Sequence, residues 1–155
     1  MQKITPFLWF EKDAMKVAKY YCSIFKDSKI KKSTVINDTP SGSVEVVTIE
    51  FFGQDFTLMS AGPLFKFNEA ISFVVDCKDQ KEVDYYWKKL TADGGEESMC
   101  GWLKDKYGLS WQIVPKQLNK LMGDKNKEKA GRVIQAMLKM KKIDIEKLQR
   151  VYDQR

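Results

Sequence analysis

The chain has 155 residues, 43% of them apolar and 12% aromatic, enough to bury a core and to exclude wholesale disorder. It carries a net charge of +6, no histidine, and three cysteines at Cys22, Cys77 and Cys100. The missing imidazole removes Ser-His-Asp and Cys-His nucleophile systems and histidine-based metal sites, and three widely spaced thiols indicate neither a disulfide framework nor a zinc ribbon.

Taken in chain order, Ile4 to Phe10 reads as a strand, with Phe7, Leu8, Trp9 and Phe10 apolar and a turn at Glu11-Lys12. Asp13 is placed to cap a helix that runs to about Phe25, because Ala14, Val17, Ala18, Tyr21 and Phe25 form one apolar stripe. Three strand-like runs follow, Lys29 to Asn37, Ser43 to Phe52 and Asp55 to Ser60, separated by turns at Pro40-Ser41-Gly42 and Gly53-Gln54.

The pattern then restarts. Asn68 to Cys77 predicts a strand, and Asp79 with Glu82 has the spacing of a capping box. The helix it opens buries Val83, Tyr86, Trp87 and Leu90, with Gly94-Gly95 as its stop. Short strands near Glu97 to Leu103 and Leu109 to Val114 are joined by a charged turn at Lys104 to Gly108, read as solvated. The chain therefore contains βαβββ twice, in residues 3–61 and 68–115, and this internal repeat is the most informative signal present. Thr5-x-x-Leu8-x-Phe10 aligns with Ala70-x-x-Phe73-x-Val75. Period-two geometry puts Leu8, Phe10, Phe73 and Val75 under the helices and Thr5, Phe7, Trp9, Ala70, Ser72 and Val74 on the opposite face. In the last strand Ser110, Gln112 and Val114 share one face, and Trp111 and Ile113 the other.

After Pro115 the periodicity becomes helical. Ala130, Val133, Ile134, Met137 and Leu138 form one stripe, and Ile145, Leu148, Val151 and Tyr152 another after Asp144. These amphipathic helices are expected to dock on a sheet edge or a second subunit. The domain reading is a single body over 1–115 and a basic helical extension over 116–155. That extension holds 12 basic and 5 acidic residues, net +7, whereas residues 1–115 carry net −1. Only Arg132, Arg150 and Arg155 are arginines, which argues against nucleic acid as a partner, since arginine dominates bidentate phosphate and base recognition. A solvated face is the expected role of this charge. No apolar run approaches the roughly 20 residues of a membrane span, and the N-terminus lacks a secretory signal, so no membrane association is expected and a reduced cytoplasmic location is the default.

Three stretches carry a family resemblance: Ala70-Ile71-Ser72-Phe73-Val74-Val75-Asp76-Cys77 with Asp79-Gln80, Val83-Asp84 and Trp87; Gly101-Trp102-x-Lys104-Asp105-Lys106-Tyr107-Gly108-x-Ser110-Trp111-Gln112-Ile113-Val114-Pro115; and Gln135-Ala136-Met137-Leu138 with Met140-Lys141-Lys142-Ile143-Asp144-Ile145. With the duplicated βαβββ they resemble the vicinal-oxygen-chelate superfamily, the glyoxalase/bleomycin-resistance fold, and within it the PhnB-like branch often labelled 3-demethylubiquinone 3-methyltransferase. The resemblance implies an α+β fold in which duplicated βαβββ modules form a curved mixed-sheet cup, followed by the helical extension. It also implies a homodimer. In metal-using members four inward positions on the first and last strands of each module hold a divalent ion. Here the matching positions are Thr5, Ala70 and Gln112, with Thr57, Leu58, Met59 or Ser60 as the fourth. None is an imidazole or a carboxylate, and only Gln112 is a usual ligand for a hard cation. The methyltransferase label meets a similar departure, because the chain has no GxGxxG turn and no parallel βαβ series.

No cofactor or metal is therefore expected. The candidate ligand-binding residues are Phe7, Trp9, Met59, Ser72, Trp102, Ser110 and Gln112, whose aromatic rings and uncharged hydrogen-bonding groups suit a small apolar or aromatic molecule. Gln112 leads this set, because its matching position carries the functional carboxylate of chelating members; an amide there orients a ligand but cannot act as a general base. Cys100 reads as a small buried residue, and Asp105 with Tyr107 as part of a solvated turn. The alternative is a metal-independent PhnB-like enzyme using a carboxylate or tyrosine that the pattern does not place. An inward ionisable group would separate the two readings.

Overall fold

A computed structural model describes residues 2–154. The chain divides into two compact units, one ending at Lys66 and one beginning at Phe67.

The first unit runs β1 (Phe7–Phe10), α1 (Ala14–Ile24), β2 (Ser28–Thr39), β3 (Gly42–Phe51) and β4 (Gln54–Ser60). Its sheet has the order β1-β4-β3-β2, with β1 parallel to β4 and the other pairs antiparallel. Ala14, Val17, Ala18, Tyr21 and Ile24 form the buried stripe of α1, which packs on β2, β3 and β4. Beneath it lie Leu8, Phe10, Val47, Ile49, Phe51 and Leu58, all buried. Phe51 centres an aromatic cluster, with ring centroids 5.0 Å from Phe25, 5.1 Å from Phe56 and 6.0 Å from Tyr21. The start of α1 differs from the expected cap. Asp13 sits at the N-cap position with φ 58° and makes no side-chain cap. Glu45 on β3 supplies the acceptor instead, its carboxylate taking the Met15 N–H at 2.9 Å. A carboxylate there satisfies an orphan donor and meets the positive end of the helix, whichever part of the chain provides it.

The second unit repeats the order with β5 (Ser72–Cys77), α2 (Gln80–Leu90), β6 (Glu96–Glu97), β7 (Trp102–Lys104) and β8 (Ser110–Pro115). The sheet order is β5-β8-β7-β6, again with the first and last strands parallel. This is the α+β, duplicated βαβββ architecture. Asp79 caps α2 by accepting the Glu82 N–H at 2.9 Å, while the Glu82 carboxylate accepts from Lys78 N at 2.8 Å, one residue earlier than in a standard capping box. The helix ends at Leu90, with Thr91 as its C-cap, ahead of Gly94-Gly95. Gly95 has a packing role: a Cβ there would stand 2.9 Å from the Lys104 carbonyl oxygen.

Three helices complete this unit: α3 (Lys116–Met122), α4 (Lys127–Met137) and α5 (Ile145–Asp153). The first was not separately legible in the pattern. Leu118, Leu121, Val133, Ile143 and Leu148 form their core, against which Val114 at the end of β8 also packs. The segment before α5 is pinned to the sheet module by backbone bonds from Cys100 N to Met140 O and from Gly101 N to Lys141 O, at 2.7 and 2.8 Å. Gly101 has φ +83°, and a Cβ there would meet the Ile113 oxygen at 2.9 Å, so the close approach requires glycine. Gln80 makes a two-way clamp, donating to Ile143 O at 3.1 Å and accepting from Ile145 N at 2.9 Å. Arg132 closes the far end by donating to the carbonyls of Val151 and Tyr152 at 2.8 and 3.0 Å. Among the described residues no helix is long and apolar enough to cross a membrane.

Substituting Gln80→Ala should cost about 1–3 kcal/mol in urea unfolding, because it strips two partly buried backbone groups of their partner. Amide exchange at Ile145 should accelerate in the same variant; unchanged exchange would show that the clamp does not hold α5.

Candidate functional site

In each unit the helix covers one sheet face, and strand alternation sorts the candidate residues onto the other. On the first sheet, Phe7 is 59% exposed and Trp9 is partly buried. The parallel register sets Trp9 beside Met59 and Phe7 beside Thr57, so Phe7, Trp9 and Met59 share one face. The Trp9 ring is fixed at two points. Its indole N–H donates to Gly62 O at 2.8 Å, and the Phe65 ring meets it edge-on with centroids 4.9 Å apart.

On the second sheet the four remaining candidates come together. Ser72 pairs with Ser110, Val74 with Gln112, and Trp102 with Gln112 across β5, β8 and β7. The Gln112 Nε2 donates to Ser72 Oγ at 2.9 Å, which fixes the amide's orientation and leaves its carbonyl oxygen free of that bond. Trp102 is partly buried beside it. Ser110 is 1% exposed, and its Oγ has no hydrogen-bond partner among the described residues. Val114 shares this parity but packs into the core of the C-terminal helices, so it is removed from the open face.

Ionisable groups stand on the same face. Lys104 pairs with both Ser110 and Glu96 in the ladder, and its ammonium lies 2.5 Å from the Glu69 carboxylate. The hydrogen bond between them raises the Lys104 pKa and lowers that of Glu69, so both stay charged at neutral pH. Among the described residues no three His, Cys, Asp or Glu side chains are grouped to hold a metal.

Asp105 was the residue that pattern reading misplaced. The turn is not solvated there: Asp105 is 2% exposed. Its Oδ1 accepts the Tyr107 and Leu109 N–H groups at 2.8 and 3.2 Å, and its Oδ2 accepts the buried Trp111 indole N–H at 2.9 Å. The carboxylate thus shapes the β7–β8 turn and ties it to the helix-covered side, and is not available for proton transfer with Tyr107. An Asp at the start of a glycine-closed turn was the available signal; the distant indole that draws it inward was not visible. Cys100 is partly buried, and its N–H serves the Met140 carbonyl. Cys77 is fully buried, and burial first, then nearby carboxylates, pushes its thiol up to about 12.

The family profile described as 3-demethylubiquinone-9 3-methyltransferase matches residues 2–114. Among solved structures, a PhnB protein from Bacillus cereus, titled a putative 3-demethylubiquinone-9 3-methyltransferase, is 31% identical, with a TM-score of 0.65, over 74% of this chain and 99% of that one. The fosfomycin resistance protein FosX from Listeria monocytogenes superposes with a TM-score of 0.58 at 16% identity, over 77% of this chain and 94% of its own. A second FosX structure, complexed with Mn(II) and sulfate ion, gives 0.54 at 16% identity over 73% and 91%. At that identity the likeness shows the fold alone. No curated protein matches the chain.

Asp105→Ala should lower stability by at least about 3 kcal/mol, since three donors lose a charged acceptor and one of them is a buried indole. The urea midpoint reads this, and a change below 1 kcal/mol would contradict the role. In mildly alkaline buffer a thiol reagent should leave Cys77 unmodified until denaturant is added; labelling of the native protein at Cys77, read by peptide mass, would overturn its assignment as an inert core residue.

Proposed function

Because the chain belongs to the 3-demethylubiquinone-9 3-methyltransferase family of the glyoxalase/bleomycin-resistance superfamily, we propose that it is a small-molecule-binding protein that holds an apolar or aromatic ligand on the sheet faces its helices leave uncovered. The observation that carries this reading is the Gln112 amide, oriented by Ser72 at 2.9 Å and placed beside Trp102. An aromatic wall next to one fixed, uncharged hydrogen-bonding group is the usual chemistry of such sites. Phe7, Met59 and the anchored Trp9 ring offer similar chemistry on the first sheet.

The family's metal and cofactor chemistry does not fit these residues. A divalent cation of the kind named with FosX needs several oxygen or nitrogen donors. The positions that would supply them are Thr5, Ala70, Gln112 and the run from Thr57 to Ser60, and the Gln112 amide nitrogen is already directed at Ser72. A methyl donor of the nucleotide type favours a glycine-rich turn opening a helix. Here β5 enters α2 through Lys78-Asp79, and a carboxylate already takes one first-turn N–H of each helix, Glu45 that of Met15 in α1 and Asp79 that of Glu82 in α2. The name methyltransferase is a family label for this chain. An enzymatic reading would need a base on the uncovered face; Lys104, held protonated by Glu69, is not one, which leaves the Glu96 carboxylate in the same row as the group such a reading would have to use.

Native mass spectrometry of protein purified without chelator tests the proposal. The expected species is a dimer with an organic adduct, and Gln112→Ala should lose the adduct while keeping the wild-type unfolding midpoint. One stoichiometric divalent ion per chain, or full retention of the adduct by the variant, would refute the reading.

A further inference from the structure

The ladder on the second sheet brings Glu96, Lys104 and Ser110 into one row, with Trp102 on the same face two residues before Lys104. Together with Glu69 and Ser98 they line a cleft of about 130 Å³. Two independent features of this cleft point to an occupant. The first is Ser110, a residue of the cleft lining whose hydroxyl is buried without a hydrogen-bond partner among the described residues. Native proteins rarely leave such a group unpaired. The second is a charge imbalance. Lys104 is matched by Glu69 at 2.5 Å. Glu97 has its own partners, the Trp87 indole N–H at 2.7 Å and Lys141 at 3.7 Å. Glu96 takes part in no ion pair within 4 Å among the described residues and feels Lys104 only at longer range, so Glu69, Glu96 and Glu97 line the cleft against one lysine.

We propose that this cleft receives the protonated nitrogen of an organic amine whose apolar or aromatic body lies against Trp102 and Gln112. The inference rests on the reading that this face is the ligand face, and it narrows the ligand to a cation. An ammonium has N–H donors for the Ser110 oxygen, the Glu96 carboxylate one strand beyond Lys104 adds charge attraction, and the Trp102 ring adds a cation–π contact. A carboxylate ligand would meet Glu96 with like charge, and a neutral ligand would leave that charge unmatched.

Three probes of matched size separate the possibilities: phenethylamine, 2-phenylethanol and 3-phenylpropionate, titrated at low salt while the Trp102 indole and Gln112 amide signals are followed by NMR. Phenethylamine should bind about tenfold or more tightly than the alcohol, with the propionate weakest. Glu96→Gln, at an exposed position where folding is not at stake, should bring the amine to within about twofold of the alcohol, and added salt should weaken the amine alone. Equal affinity for amine and alcohol, with both weakened by Gln112→Ala, would overturn the cation inference and leave the ligand-face reading standing. Persistence of the amine preference in Glu96→Gln would overturn it as well. If no probe shifts either signal at millimolar concentration, both readings fail.

Discussion

An eleven-residue helix can cover one face of a four-stranded half-sheet and no more, and both halves of this chain are built under that constraint. Each strand must then alternate, placing apolar side chains under the helix and something else on the other side. In β1 that separates Leu8 and Phe10 from Phe7 and Trp9; in β8 it separates Trp111 and Ile113 from Ser110 and Gln112. A one-residue slip in either strand would bury the wrong set, so the same alternation that fixes the core also fixes the candidate site. The uncovered faces carry Phe7, Trp9 and Met59 on the first sheet and Trp102, Gln112 and Lys104 on the second. Two of these groups are fixed by single bonds, the Trp9 indole on Gly62 and the Gln112 amide on Ser72.

Burial decides what the ionisable residues do. Asp105 is drawn inside by an indole and two backbone donors and becomes part of the frame. Glu45 leaves its own strand to complete the first turn of α1. Lys104, one residue before Asp105 and on the opposite face, keeps its charge against Glu69 and stays at the open surface. The fold is shared with a FosX structure complexed with Mn(II), and such an architecture constrains which face a residue occupies and not whether it is a carboxylate or an amide.

Most of the architecture was legible from periodicity. The stripe Ala14, Val17, Ala18 and Tyr21 marked α1, the pair Asp79 and Glu82 marked the start of α2, and the recurrence of the whole pattern marked the duplication. Strand ends were less legible: β1 begins at Phe7 instead of Ile4 and β5 at Ser72 instead of Asn68, since pairing with a partner strand, and not local composition, ends a ladder. The short helix α3 was missed because seven residues give too few turns for a stripe to stand out. Its apolar residues, Leu118 and Leu121, gain meaning only beside Val133, Ile143 and Leu148 from elsewhere in the chain.

The sequence by itself determined which residues share a face, because a period of two or of 3.6 is local and survives without knowledge of the partner. It therefore placed Phe7 with Trp9, Ser72 with Val74, and Ser110 with Gln112, while the face of Met59 waited on the pairing of its strand. Only the tertiary structure decided what those groups touch: Ser72 as the acceptor that orients Gln112, Ser110 as a buried hydroxyl without a partner, Asp105 as a buried organiser, and the C-terminal helices as part of the second unit. These are contacts between residues tens of positions apart. They follow from how strands and helices pack in space, and no local pattern in a single chain encodes them.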